Sequence, residues 1–221
     1  NNVVEFDLEK EWKSLKGHIV DNNSLFPMTG YSYILWKIFN FSNIIIDNLE
    51  VIQKVYMDNK KKIIFNISSN DNLYKIQYNN ELVASASVRF YNDEFKFLNL
   101  SHDSLNIIKQ KQLYNYIEQY GYFYQNNFKS IESYDYLNNT IKLKDNIDWI
   151  SYMDGILQMI IIQEKSSILP TFIKKMILTN YQNRENIVGY NNKILGNNNV
   201  QIQGYNYYNY YYNNLQKIIL E

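Results

Sequence analysis

The 221-residue chain contains no cysteine. Disulfides and thiolate zinc sites are therefore excluded, and a reducing, cytoplasmic setting is compatible with that composition. Neither sign of charge is in excess: Lys+Arg and Asp+Glu both number 22. That balance leaves no electrostatic footprint for a nucleic-acid partner. Long apolar runs are missing too. The longest purely aliphatic stretch lies around Met159–Ile162, far short of the ~20 residues that a membrane-crossing helix needs. No membrane span is expected. The first residues, NNVVEFDLEK, are polar and acidic where a secretion signal is basic and then apolar. A starting Met is also lacking, so the chain is expected to be a piece of a longer polypeptide. Without a secretion signal, Asn-x-Ser/Thr triplets such as Asn66-Ile67-Ser68 read as chance in an Asn-rich chain.

What the chain does have is 46% hydrophobic and 20% charged residues, which suits one or two compact domains with a core. Asn, Tyr, Lys and Ile are abundant and share AT-rich codons. The run GYNYYNYYYNN (Gly204–Asn214) reads as nucleotide bias in a tolerant strand or tail. It has no interleaved Arg or Lys, which a stacking platform for single-stranded nucleic acid would want. A prion-like segment is the minority reading.

The hydrophobic period switches along the chain. VVEFDL and GHIV read as short strands. A helix begins after Pro27 and runs to about Asn40, with Ile34, Leu35, Ile38 and Phe39 at helical spacing. The segments NIIIDNLEVIQKVY, KKIIFNISS, NLYKIQY and LVASASVRFY read as strands separated by Asn, Asp and Lys turns. The second half repeats the plan. QKQLYNYIEQY is a short helix, FKSIESYDYL and TIKLK are strands, and DWISYMDGILQMIIIQ is an apolar helix. Strands follow at TFIKKMILTN, NIVGYNNKIL and NVQIQGYNY. The breakpoint falls in SHDSLN, near residues 101–106. The expected class is α+β, a double hotdog in which an antiparallel sheet wraps a central helix twice. Residues 1–100 form its first half and 101–221 its second.

Histidine is scarce, with two residues. His102, in the polar connector SHDS, reads as a solvated loop residue. His18 ends an apolar strand just before the turn into the first helix, where a lone histidine is more often structural. Asp154 bears on that reading. It is the one acid in the middle of Trp149–Gln163, a helix apolar almost all round and so expected to be buried. A buried carboxylate is costly unless it is paired or functional. Gln158, four residues on, lies on the same face and can hydrogen-bond it. Two readings stand at this point: a polar stripe with a structural or solvent contact, or a general acid whose pKa desolvation has raised. An imidazole is a suitable base at neutral pH. Acid and base on opposite sides of a tunnel fit an elimination.

At these residues the sequence resembles the dehydratase domain of animal-type, insect-like type I fatty acid synthases. EFDLEKEWKSLKGHIVDNNSLFPMTGYSYILWK is similar to the start of that domain, where the signature HxxxGxxxxP maps to His18, Asn22 and Pro27. LYNYIEQYGYFYQNNFKSI resembles its GYxYGxxF region, with Gly121, Tyr122, Tyr124 and Phe128 retained. DNIDWISYMDGILQMIII resembles its DxxxQ helix, with Asp154 and Gln158. ILPTFIKKMIL and NNVQIQGY resemble later strands. Dehydratases of modular polyketide synthases share the plan and are the nearest competitor.

The resemblance implies dehydration of 3-hydroxyacyl chains carried by phosphopantetheine on acyl carrier protein, without metal or redox cofactor. His18 would take the α-proton and Asp154 would protonate the departing hydroxyl, with Gln158, Asn22, Pro27 and Tyr124 in support. The other domains of a parent synthase are implied partners, and a homodimer through that parent is allowed. Two departures stand out. Asn22 replaces the family glycine, trading space near the thioester for a residue that still tolerates φ > 0. Gln125-Asn126 replaces a Gly-Pro or Gly-Gly pair and is expected to narrow or reshape the tunnel edge. They motivate an alternative reading as a weak or inactive structural domain. A hotdog thioesterase or acyl-binding module ranks last. If the acid–base reading is right, His18 and Asp154 face each other across a tunnel; placement on opposite surfaces defeats it.

Overall fold

Alternating apolar and polar residues drive the chain's extended segments into antiparallel strands. A computed structural model describes residues 2–92, 100–102, 105–180, 184–191, 194–209 and 219–220. In β1 (Asn2–Asp7), Val4 and Phe6 are buried while Val3 and Glu5 face out. A 3-10 turn at Lys13–Gly17 leads into a small hairpin, β2 (Ile19–Val20) and β3 (Asn23–Ser24). The Asp21–Asn22 loop has positive φ at both positions, 49° and 63°, as a type I′ turn requires and as Asp and Asn tolerate. Helix α1 (Met28–Ile38) follows Pro27. Strands β4 (Ile44–Val51), β5 (Lys62–Asn70), β6 (Leu73–Tyr78) and β7 (Glu81–Phe90) come next.

The second run opens with β8 (Ile107–Lys109), α2 (Gln110–Glu118) and a 3-10 turn at Asn126–Phe128. It continues through β9 (Ile131–Asp135), β10 (Thr140–Leu143) and α3 (Trp149–Glu164). It ends with β11 (Ile168–Leu178), β12 (Ile187–Asn191), β13 (Ile194–Gly196), β14 (Val200–Asn209) and β15 (Ile219–Leu220). Among the described residues one sheet runs in the order β1-β5-β6-β7-β4-β11-β14-β13-β12-β10-β9-β8, with β15 on β14. Strands from before Phe90 and strands from after Ile107 thus form two uninterleaved blocks. They join where β4 pairs antiparallel with β11, Ile46 opposite Met176.

The two central helices meet face to face. Thr29 Oγ1 of α1 donates to the Ile150 carbonyl of α3 at 3.1 Å, and the rings of Trp36 and Trp149 meet edge-on at 4.9 Å. Asp148 caps α3 by accepting from the Ser151 N–H at 2.8 Å, which satisfies one of the helix's unpaired amides. Nearly all of α3 is buried, Ile150 through Ile162 without a break.

Several boundaries differ from expectation. GHIV is strand only at Ile19–Val20, because Gly17 closes the 3-10 turn. The β4 strand stops at Val51, where Ile52 and Gln53 both turn their N–H groups to the Val83 carbonyl. β11 starts earlier, at Ile168, and absorbs Pro170 with a register shift before Phe172, since proline cannot donate to the ladder. NIVGYNNKIL is two strands, with residues 192–193 outside the described part. In GYNYYNYYYNN, Gly204–Asn209 belong to β14 and residues 210–214 lie outside the described part. In the connector near 101–106, residues 103–104 lie outside it as well.

His102 is not a freely solvated residue. Strands β9 and β10 supply it with hydroxyls: Nδ1 lies 3.0 Å from Thr140 Oγ1 and Nε2 lies 3.0 Å from Ser133 Oγ. The Thr140 hydroxyl donates to the Ser101 carbonyl, so it accepts from Nδ1–H and the Ser133 hydroxyl donates to Nε2. Partial burial pushes the His102 pKa down.

The two blocks are stitched a second time next to β2. Gln125 N–H donates to the Gly17 carbonyl, Phe123 N–H to that of Ile19, and Asp21 N–H to that of Gly121, each at 2.9 Å. A Cβ on Gly17 would lie 2.4 Å from the Gln125 carbonyl oxygen, a backbone atom that cannot step aside without breaking this ladder. Gly17→Ala is therefore expected to cost about 1–3 kcal/mol of stability, read by urea unfolding. An unchanged midpoint would mean that the two segments do not approach this closely.

Candidate active site

His18 is placed by the small hairpin. Its carbonyl accepts from the Leu25 N–H at 3.0 Å, and its ring Nδ1 lies 2.7 Å from the Leu25 carbonyl. A carbonyl only accepts, so Nδ1 carries the hydrogen. In the neutral ring Nε2 is then a free lone pair. That nitrogen faces Oδ1 of Asp154 at 3.5 Å. Both side chains are buried, with His18 4% and Asp154 5% exposed.

Asp154 is placed by α3. Gly155 beside it brings the helix close to its neighbours, since a Cβ there would lie 2.5 Å from Ser130 Oγ and 2.7 Å from Leu143 Cδ2. Gln158, one turn on, donates from Nε2 to Asp154 Oδ2 at 2.8 Å and to the Phe128 carbonyl at 3.0 Å. Burial pushes the Asp154 pKa up. The His18 ring and the Gln158 donor pull the other way with less effect, and Asp148 adds a smaller upward push. The carboxyl group is held toward its neutral, proton-carrying form.

Tyr124 is placed by the extended segment that pairs with Gly17–Asp21. Alternation there turns Tyr122 and Tyr124 inward, stacked with ring centroids 5.6 Å apart, and Phe123 outward. The Tyr124 ring lies 5.5 Å from that of His18, and Phe128 packs on the other ring contact at 5.1 Å. The Tyr122 hydroxyl accepts from the Ile168 N–H at 2.7 Å and donates to the carbonyl of the same residue. His18, Tyr124, Asp154 and Gln158 together line a narrow cavity that opens to the surface. Its other walls are largely apolar, among them Phe26, Met28, Leu157 and Ile161. Exposed Gln53 and Lys54 mark its open side.

The structure thus brings four of the six expected site residues into one cavity. Pro27 sits just behind it, its extended backbone (φ −73°, ψ 150°) opening α1 between two lining residues, Phe26 and Met28. Asn22 is exposed at the tip of the hairpin and is not a wall residue. Its positive φ builds the turn that brings Leu25 back to His18, so no space beside a substrate is lost there. Gln125 and Asn126 are also exposed and off the wall. The expected narrowing of the tunnel edge by their side chains is not seen, because Gln125 engages Gly17 through its backbone.

Sequence reasoning missed two contributors. The Leu25 carbonyl is a backbone group, which no side-chain pattern reports. Tyr114 of α2 is fully buried and donates to Gln158 Oε1 at 2.8 Å. Its only sequence signal was a place on the apolar face of an amphipathic helix.

No protein-family model and no curated protein matches the chain. Solved structures do. The dehydratase domain of a trans-AT polyketide synthase from Brevibacillus brevis is 14% identical, with a TM-score of 0.72, covering 92% of this chain and 91% of that one. The dehydratase domain from the CurF module of curacin polyketide synthase is 15% identical, with a TM-score of 0.73 and coverage of 94% and 91%. The chain has the double-hotdog fold of these domains. The dehydratase domain of PpsC from Mycobacterium tuberculosis, solved in complex with C12:1-CoA, is 11% identical, with a TM-score of 0.67 and coverage of 94% and 92%. All three come from polyketide synthases or their modules, or carry an acyl thioester. At this identity the likeness speaks for the fold. Among the described residues no helix is long and apolar enough to cross a membrane.

The raised Asp154 pKa has a sign for stability. The folded chain binds this proton more tightly than the unfolded chain. The resulting stability is fully present below the unfolded pKa of about 4 and is lost as pH rises through the folded value. Asp154→Asn removes that loss. The variant should hold its unfolding free energy as pH rises from about 4 to 8, while the wild type declines. Parallel urea-unfolding curves across that range would show that Asp154 is not a buried neutral acid.

Proposed function

We propose that the chain is a β-hydroxyacyl-[acyl carrier protein] dehydratase domain that converts 3-hydroxyacyl thioesters to trans-2-enoyl thioesters. One observation carries this reading. An imidazole nitrogen with a free lone pair and a carboxyl oxygen held toward its protonated form meet 3.5 Å apart in one largely apolar cavity. The pair can remove one proton and deliver another in the same event.

His18 Nε2 takes the α-proton, the C–H electrons form the α,β double bond, and the β-carbon–oxygen bond breaks. Asp154 Oδ1 gives its proton to the departing hydroxyl, which leaves as water. The site is left as imidazolium and carboxylate, and the proton returns from Nε2 to Oδ1 across the same 3.5 Å gap. Leu25 keeps the ring in the working tautomer throughout. Developing charge on the thioester oxygen is favoured near the start of α1, whose first residue, Met28, lines the cavity.

The thioester class is supported by the PpsC domain's complex with an acyl-CoA. A phosphopantetheine-linked chain on acyl carrier protein, entering past Gln53 and Lys54, is the proposed physiological form. The parent is proposed to be a cytoplasmic multidomain synthase. Its assignment to the animal-type fatty acid branch rests on the wording of the motifs around Pro27 and Asp154. We assign residues 1–100 to a first unit carrying the base and 101–221 to a second carrying the acid.

The test is water loss from a 3-hydroxyacyl-CoA by the isolated chain. His18→Ala and Asp154→Asn should each lower kcat/KM by at least ~10²-fold. No turnover above the His18→Ala level, with the protein folded, would sink the proposal. The alternative of a weakened domain was motivated by Asn22 and by Gln125-Asn126. Since Asn22 serves a solvent-exposed turn, Asn22→Gly is expected to leave turnover within about twofold; a large rise would revive that alternative.

A further inference from the structure

Beyond His18, Tyr124, Asp154 and Gln158, Tyr114 is a buried polar side chain linked to the Asp154 carboxyl through one intermediary, Gln158. Its hydroxyl accepts from the Ile131 N–H at 3.0 Å and donates to Gln158 Oε1 at 2.8 Å. The Gln158 amide is thereby held from both ends. Its Nε2 spends one hydrogen on the Phe128 carbonyl and the other on Asp154 Oδ2. An oxygen that accepts the Gln158 hydrogen is the poorer seat for a proton. The neutral carboxyl therefore carries its hydrogen on Oδ1, which faces His18 and the cavity. We propose that Tyr114 is a positioning residue that acts through Gln158 to keep the transferable proton of Asp154 on Oδ1.

Burial pushes the Tyr114 hydroxyl pKa well up, so it stays a donor at every working pH. The titratable groups around Asp154 are His18 from the hairpin side, Tyr114 from α2, Tyr124 from the paired extended segment, and the more distant Asp148 at the start of α3. Without the Tyr114 hydroxyl, Oε1 is left buried with no donor and the amide turns to find one. Asp154 Oδ2 then loses its hydrogen bond and becomes a competing, unproductive seat for the proton.

This inference rests on the dehydratase reading and is tested with Tyr114→Phe, Gln158→Leu and the double variant. Tyr114→Phe should lower kcat roughly tenfold, less than the ~10²-fold cost of losing the acid itself, with KM unchanged. The alkaline limb of the kcat–pH profile should move to higher pH, because the carboxylate has lost a donor. Gln158→Leu, which keeps the tyrosine ring, should show the same displacement. Adding Tyr114→Phe to it should cost nothing further. Unchanged kcat in Tyr114→Phe, an unmoved alkaline limb in Gln158→Leu, or additive losses in the double variant would overturn the assignment. If the wild type turns over no 3-hydroxyacyl-CoA, the dehydratase reading fails by itself. The decline of unfolding stability above about pH 4 then decides the placement. It should extend to higher pH in Gln158→Leu, and an unshifted decline overturns it.

Discussion

Burying the Asp154 carboxyl group in the apolar interior of α3 sets the terms for everything around it. A carboxylate there would cost several kcal/mol unless richly hydrogen-bonded. The protein gives it one amide donor, from Gln158, and one imidazole, from His18. That is enough to place a neutral acid and too little to hold an anion cheaply. Burial therefore favours the form that keeps its proton. Gly155 belongs to the same arrangement, because a Cβ there would force the side chains of Ser130 and Leu143 to shift.

The His18 ring is oriented by backbone rather than by another charge. Hairpin geometry brings the Leu25 carbonyl to His18 Nδ1, which fixes the tautomer without adding an anion that would compete for the proton. The Asp154 carboxyl group is reached by a chain of neutral dipoles, from Tyr114 through Gln158. Neither partner depends on solvent or on a permanent charge. A site wired in this way keeps its protonation pattern inside an apolar cavity where ionic wiring would be expensive.

Most of the secondary structure was legible in the sequence. An apolar helix with a single mid-helix acid and a Gln four residues on singled out Asp154 and Gln158, while pattern alone left a structural contact equally open. Order along the chain, with one helix among strands twice over, pointed to the architecture. What was not legible has a common cause. The Leu25 carbonyl and the Gly17–Gln125 ladder are backbone features. The role of Tyr114 depends on α2 packing beside α3, which no local pattern encodes. Asn22 and Gln125 were expected beside the substrate because they stand at glycine positions of the motifs that the sequence resembles. In each case the chain alternates or turns, and the side chain points out. His102 was read from its polar neighbours, whereas its partners Ser133 and Thr140 lie on strands formed later in the chain.

The stitching of Gly17–Asp21 to Gly121–Gln125 has a consequence for how the molecule comes into being. During synthesis His18 leaves the ribosome early, and Asp154 follows only after the whole of the first block and much of the second. Until the second block docks, the backbone groups of Gly17 and Ile19 have no partners and the imidazole has no acid. Pairings between such distant segments form late in folding. The His18–Asp154 pair is therefore absent from every incomplete or half-folded chain, and it assembles only when the two blocks have closed on one another.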